Sequence, residues 1–116
     1  MNTQPTPTPE THGVYWITDP GHGWLAVDLD AFPSAREYGT GFGYKHGKWI
    51  YLEEDLEAPA FLEGYPQLAH AVRAGQLATK SYDFDAPCRW YNNNEARLDT
   101  DAYFARRRAE REQVQA

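Results

Sequence analysis

The sequence predicts an α+β domain in which two consecutive β-hairpins form a four-stranded, mainly antiparallel sheet covered by short helices. Three observations predict it. Two pairs of aromatic and β-branched segments each flank a short glycine-bearing connection, at 13–29 and 41–54. After residue 55 the chain changes to short apolar patches punctuated by Pro59, Gly64, Pro66 and Gly75, the signature of helix starts and stops. The 116 residues suit one domain, and no repeat of solenoid length is visible. A small closed barrel is the competing arrangement.

The elements follow in order. MNTQPTPTPET (1–11) is a Thr/Pro-rich tail without core-forming residues after Met1, and is expected to be disordered. A single domain then occupies 12–105. GVYWIT (13–18) alternates Val14, Trp16 and Thr18 on one face with Tyr15 and Ile17 on the other. DPGHG (19–23) supplies turn residues, and WLAVDL (24–29) reads as the partner strand, with Leu25, Val27 and Leu29 expected inward. DAFPSAREYG (30–39) allows a short helix entered at Asp30 or Ser34.

In the second hairpin, Trp49 and Tyr51 share a face with Ile50 and Leu52 opposite, and His46-Gly47 occupies the turn. Pro59 fits only the first turn of a helix, so a helix starts near 58 or 59 and stops at Gly64. Pro66 begins another, carrying Leu68 and Val72 and ended by Gly75. Residues 79–94 read as irregular or strand-like, anchored by Tyr82, Phe84, Trp90 and Tyr91. Asp99 or Thr100 caps a terminal helix from 101 to about 113, and 106–116 form its solvated end.

Charge narrows the function classes. The net charge is −6. Residues 19–63 hold nine acids against Arg36, Lys45 and Lys48, which disfavours direct binding to nucleic-acid phosphates. Four arginines, Arg106, Arg107, Arg108 and Arg111, reverse that balance near the end of the chain. Cys88 has no cysteine partner, no apolar run approaches a membrane span, and no signal segment opens the sequence, so the expected location is cytoplasmic.

Chemistry has few candidates. PGHG (20–23) offers His22 between two glycines but matches no phosphate-loop or dinucleotide pattern, and a tight connection explains it. GTGFGYKHGK (39–48) interleaves its glycines with Phe42 and Tyr44, as a strand does. The four histidines show no metal-ligand spacing, so neither cofactor nor metal is expected. YLEEDLEAP (51–59) packs Glu53, Glu54, Asp55 and Glu57 into five positions. Acids just before a helix favour its N-terminal N–H groups, which explains Glu57 and Asp55 but leaves a contact role open for the set.

GHGWLAV (21–27), YLEED (51–55) and APAF (58–61) together resemble small uncharacterised accessory proteins carried by bacteria, their phages and plasmids. The resemblance covers about residues 12–64. It implies an accessory domain of a mobile element and brings no catalytic residue with it.

The sequence therefore favours a small acidic protein-interaction module, with host-defence modulation as one setting. Glu53, Glu54, Asp55, Glu57, Trp49 and Tyr51 would form the contact face toward a basic protein partner. One alternative is a hydrolase using His22 with Glu53, Glu54 and Asp55, which requires the two hairpin ends to meet around a pocket. The other is a DNA mimic that inhibits a basic nucleic-acid-binding protein. The aromatics predict one assembly property as well. If helices cover one sheet face only, the other is aromatic and bare, and either the C-terminal half or a second copy must cover it; the weakly apolar helices favour a homodimer.

Overall fold

The computed structural model describes residues 11–39, 42–91, 108–109 and 111–112. The expected disordered tail, apart from Thr11, and most of the terminal helix lie outside the described residues. Residues 108–109 and 111–112 are helical. Thr11, assigned to the tail from sequence, is buried, and its carbonyl accepts the Val14 N–H at 3.2 Å.

The architecture is α+β, built on a mixed five-stranded sheet. Strands β1 (Val14–Thr18) and β2 (Gly23–Asp28) form the first hairpin, and β3 (Tyr44–His46) and β4 (Trp49–Glu53) the second. Antiparallel pairing of β2 with β4 joins the hairpins. A fifth strand, β5 (Thr79–Ser81), lies parallel to β1, so the sheet order is β3-β4-β2-β1-β5. The four-stranded expectation is matched in its two hairpins and corrected in strand number and in the parallel edge. Thr-Lys-Ser has no apolar alternation, so its pairing comes from β1 offering a free edge rather than from its own sequence.

All six residues of β2 are buried, because this central strand has a strand on each side and cover on both faces. The expectation of one inward face is therefore corrected. Leu25 and Val27 join Val14, Ile50 and Leu52 in one cluster, while Trp24 and Ala26 join Ile17 and Tyr51 in another. The alternation of side chains along each strand sends these two sets to opposite faces.

Helices α1 (Glu57–Glu63) and α2 (Pro66–Arg73) carry Ala58, Phe61 and Leu68 into the first cluster. Phe61 is fully buried with Phe32 and Tyr38 edge-on to its ring, each 5.8 Å between centroids. Burial of such a ring stabilises by about 1.5–3 kcal/mol. Both helices have proline in their first turn, as expected, and Gly75 follows α2 at φ 71°, where an L side chain would be strained. The short helix anticipated after Asp30 is a 3-10 turn, Pro33–Tyr38, preceded by Phe32 and capped by no side chain. Asp28 makes the turn before it, its Oδ1 accepting the Asp30 N–H at 2.9 Å.

The turn of the second hairpin lies one residue later than expected: His46 still pairs with Trp49, and Gly47 (φ 58°) and Lys48 connect the strands. The other face of the sheet is covered by the chain itself. Residues 82–91, including a second 3-10 turn Pro87–Trp90, lay Tyr82, Ala86, Cys88 and Tyr91 over Tyr15, Ile17, Trp24 and Tyr51. The bare aromatic face that motivated a homodimer is thus absent, and that premise is corrected. Among the described residues, no helix is long and apolar enough to cross a membrane.

Candidate protein-contact cleft

Glu53, Glu54, Asp55 and Glu57 do not form one surface. Glu57 is fully buried. Its Oε1 accepts the Glu53 N–H at 2.9 Å and its Oε2 the Phe42 N–H at 3.3 Å, so the carboxylate joins the exit of β4 to the approach of β3. Gly43 is required beside it, because a Cβ there would collide with the Tyr51 carbonyl and lie 2.7 Å from Glu57 Oε1. Glu53, half-buried, accepts the Asp55 and Leu56 N–H groups through Oε2 at 3.0 and 2.9 Å. That satisfies donors at the entry to α1. Glu54 and Asp55 remain exposed.

The two aromatic members expected on that face differ in burial. Tyr51 is buried, and burial raises its phenol above the ordinary tyrosine range. Trp49 is half-buried, with the Tyr15 ring edge-on at 5.3 Å. Of the six residues expected to form the contact face, Glu54 and Asp55 are exposed, Glu53 and Trp49 half-buried, and Tyr51 and Glu57 buried.

The hairpin ends do meet, as the hydrolase alternative requires. Glu54 donates its N–H to the Gly23 carbonyl at 3.1 Å, one residue from His22. His22 is exposed, and its ring lies 6.1 Å from that of Trp24. The carboxylates of Glu53 and Glu57 are turned onto backbone amides, and neither cleft described below is lined by His22, Glu53, Glu54 or Asp55. Among the described residues, no group of three His, Cys, Asp or Glu side chains is placed to hold a metal.

A different site emerges where the first hairpin turn meets the 82–91 segment. Asp19 organises it. Its Oδ1 accepts the N–H groups of Gly21 and His22, each at 2.9 Å, closing the DPGHG turn. Its Oδ2 accepts the Ala86 N–H at 2.9 Å and Arg89 Nε–H at 2.6 Å, while Arg89 Nη2 donates to Oδ1 at 3.0 Å. The pairing is two-pronged, the geometry in which a guanidinium binds a carboxylate best. The Asp19 side chain is wholly inaccessible and that of Arg89 is 24% exposed. Arg89 holds the Asp19 carboxyl far below the usual carboxylate range, and Asp19 holds the guanidinium above its own. The guanidinium also lies over the Trp24 ring, 4.9 Å from its centroid.

This clamp fixes which side chains of YDFDAPCRWY face inward. Ala86 and Cys88 are buried, and Tyr82 and Tyr91 pack against the sheet. Burial pushes the Cys88 thiol up to about 12, so it stays protonated at neutral pH. Phe84 and Trp90, expected to be anchors like Tyr82 and Tyr91, are instead 85% and 78% exposed. They line an open cleft of about 560 Å³ with Pro20, Gly21, Asp83, Asp85 and Arg89. Asp83 and Asp85 are both exposed. Asp85 stands 3.9 Å from Arg89 Nε, whose charge Asp19 already neutralises, so the cleft presents two rings and a net negative field.

No sequence signal separated the inward aromatics of 82–91 from the outward pair, because the deciding contact joins residues 70 positions apart. Another cleft, about 370 Å³ along α2, is lined by Pro66, Gln67, His70, Ala71 and Gln76 and gathers no set of reactive groups. Comparison of the chain with protein-family models, with curated proteins and with solved structures found no match.

Proposed function

We propose that this protein is a small acidic interaction module whose Phe84–Trp90 cleft takes a basic, partly apolar segment of a protein partner. One observation carries the reading: two large aromatic side chains, mostly exposed, flank a single acidic cleft held in place by the Asp19–Arg89 clamp. A guanidinium or ammonium group entering it gains the faces of Trp90 and Phe84 and the carboxylates of Asp83 and Asp85. Tryptophan in such a setting is a common binding hot spot. The acidic balance of the whole chain, −6, steers a basic segment toward it and repels phosphate.

The test is fluorescence polarisation with a labelled octapeptide of alternating arginine and leucine, against a glutamate-leucine counterpart. The wild type should bind the basic peptide more tightly, less so as salt rises. Trp90→Ala with Phe84→Ala should weaken binding by roughly 30-fold, the equivalent of a hot-spot loss of about 2 kcal/mol. Equal affinity of wild type and double variant would remove the cleft from the function.

A further inference from the structure

Resting on the binding reading above, we infer that the basic residue this cleft selects is a methylated lysine of a protein partner, held as a weakly hydrated cation against the Phe84 and Trp90 rings. Hydrogen bonding, ring placement and volume narrow the ligand to that chemistry.

The cleft is negative but poor in acceptors. Asp19 commits both carboxylate oxygens to Gly21, His22, Ala86 and Arg89, and its side chain is inaccessible. Asp85 stands 3.9 Å from Arg89 Nε. Asp83, exposed on the wall, is the carboxylate outside that Asp19–Arg89–Asp85 group. An unmodified ammonium brings three N–H donors and a tight hydration shell, and a guanidinium brings five donors. A single carboxylate in an open cleft restores little of what either loses on leaving water. Methylation keeps the positive charge of lysine while removing its donors one by one. A trimethylated nitrogen has no donor left to satisfy, and its charge is spread under apolar methyl groups.

The rings suit such a group. Phe84 and Trp90 line one space together with Pro20, so three apolar walls face a single entering side chain. The backbone between the two rings is tied down before any ligand arrives, because the Ala86 N–H and the Arg89 guanidinium both donate to Asp19. Fixing the walls in advance removes part of the ordering cost of binding. A cation over an aromatic face gains most when it sheds its water, which a methylated ammonium does readily.

Volume and charge point to a chain rather than a small molecule. An open cleft of about 560 Å³ has room for residues on either side of the methylated one. The overall charge of −6 complements a lysine-rich segment.

The experiment uses the full-length protein and labelled octapeptides of alternating lysine and leucine, read by fluorescence polarisation. They differ at one central position, which carries lysine, arginine, trimethyllysine, or a neutral isostere with a tert-butyl group in place of the trimethylammonium. The trimethylated peptide should bind about tenfold more tightly than each of the others, as two ring faces allow. Trp90→Ala and Phe84→Ala, both at exposed positions, should each reduce that preference and leave the thermal midpoint unchanged. Asp83→Asn should weaken the trimethylated peptide and leave the tert-butyl one unaffected.

Equal affinity for the lysine, arginine and trimethyllysine peptides, with binding still lost on Trp90→Ala, would overturn the methylated ligand and leave the acidic interaction module standing. Equally tight binding of the tert-butyl peptide would overturn recognition of a cation at this position. Displacement of the labelled peptide by choline as effectively as by its unlabelled copy would make the ligand a small quaternary ammonium and overturn the protein partner. No binding of any peptide would overturn both readings.

Discussion

At the scale of single residues, Asp19 does more than a turn residue ordinarily does. It closes its own loop, accepts a backbone amide from a segment 67 positions away, and neutralises Arg89. Removing it leaves a partly buried guanidinium without its counter-charge, a change that costs about 3 kcal/mol or more. Asp19→Ala should therefore lower the urea midpoint at neutral pH. The sign of the acid dependence follows from the depressed carboxyl. The unfolded chain protonates Asp19 near the ordinary value of 3.8, the folded chain only at much lower pH. Its contribution is complete above that ordinary value and is lost as pH falls toward the folded value. The stability gap between wild type and Asp19→Ala should thus narrow from about pH 5 to about pH 2. A gap constant with pH would mean that the ion pair contributes nothing to the fold. Sequence reading placed Asp19 in a turn correctly, but its partners could not be read, since turn propensity is local and Arg89 is not.

At the scale of elements, the acid-rich joint between β4 and α1 shows where sequence was legible and where it stopped. Period-two alternation identified both hairpins and assigned Trp49 and Tyr51 to one face, Ile50 and Leu52 to the other, as found. Proline in the first turn located both α-helices. The fate of the four acids was hidden, because burial of Glu57 depends on the backbone amide of Phe42, fifteen positions earlier, arriving beside it. The joint predicts a graded response. Glu57→Ala leaves two amides without their carboxylate and should cost about 2–6 kcal/mol, at roughly 1–3 kcal/mol per donor left unsatisfied. Glu53→Ala should cost about 1 kcal/mol, as loss of a helix-entry acceptor does. Glu54→Ala and Asp55→Ala, on the surface, should stay within about 0.5 kcal/mol of wild type. Denaturant midpoints across the four variants check the order, and equal losses at all four would contradict the joint described. The cleft was half legible. Phe84 and Trp90 stood out as aromatic positions, but the clamp that turns them outward joins distant parts of the chain.

At the scale of the whole molecule, both faces of the sheet are covered from within, and both edge strands, β3 and β5, are only three residues long. Short edges offer little to a neighbouring sheet, and lysines on both, Lys45 and Lys80, discourage pairing further. Static light scattering at two protein concentrations should therefore give a mass near 13.3 kDa at each. A mass doubling with concentration would show that a surface other than the sheet faces drives assembly. The parallel pairing of β5 with β1 has one more consequence, which concerns the order in which the chain is made. Trp16 must wait for Thr79 before the outer edge of β1 is paired, and Tyr15 and Tyr51 must wait for Cys88 and Tyr91 before they are covered. Both helices and both hairpins leave the ribosome first. Until the last part of the described fold follows, the nascent protein has an open strand edge beside a bare aromatic face, and a chain interrupted before residue 79 is the form most exposed to aggregation.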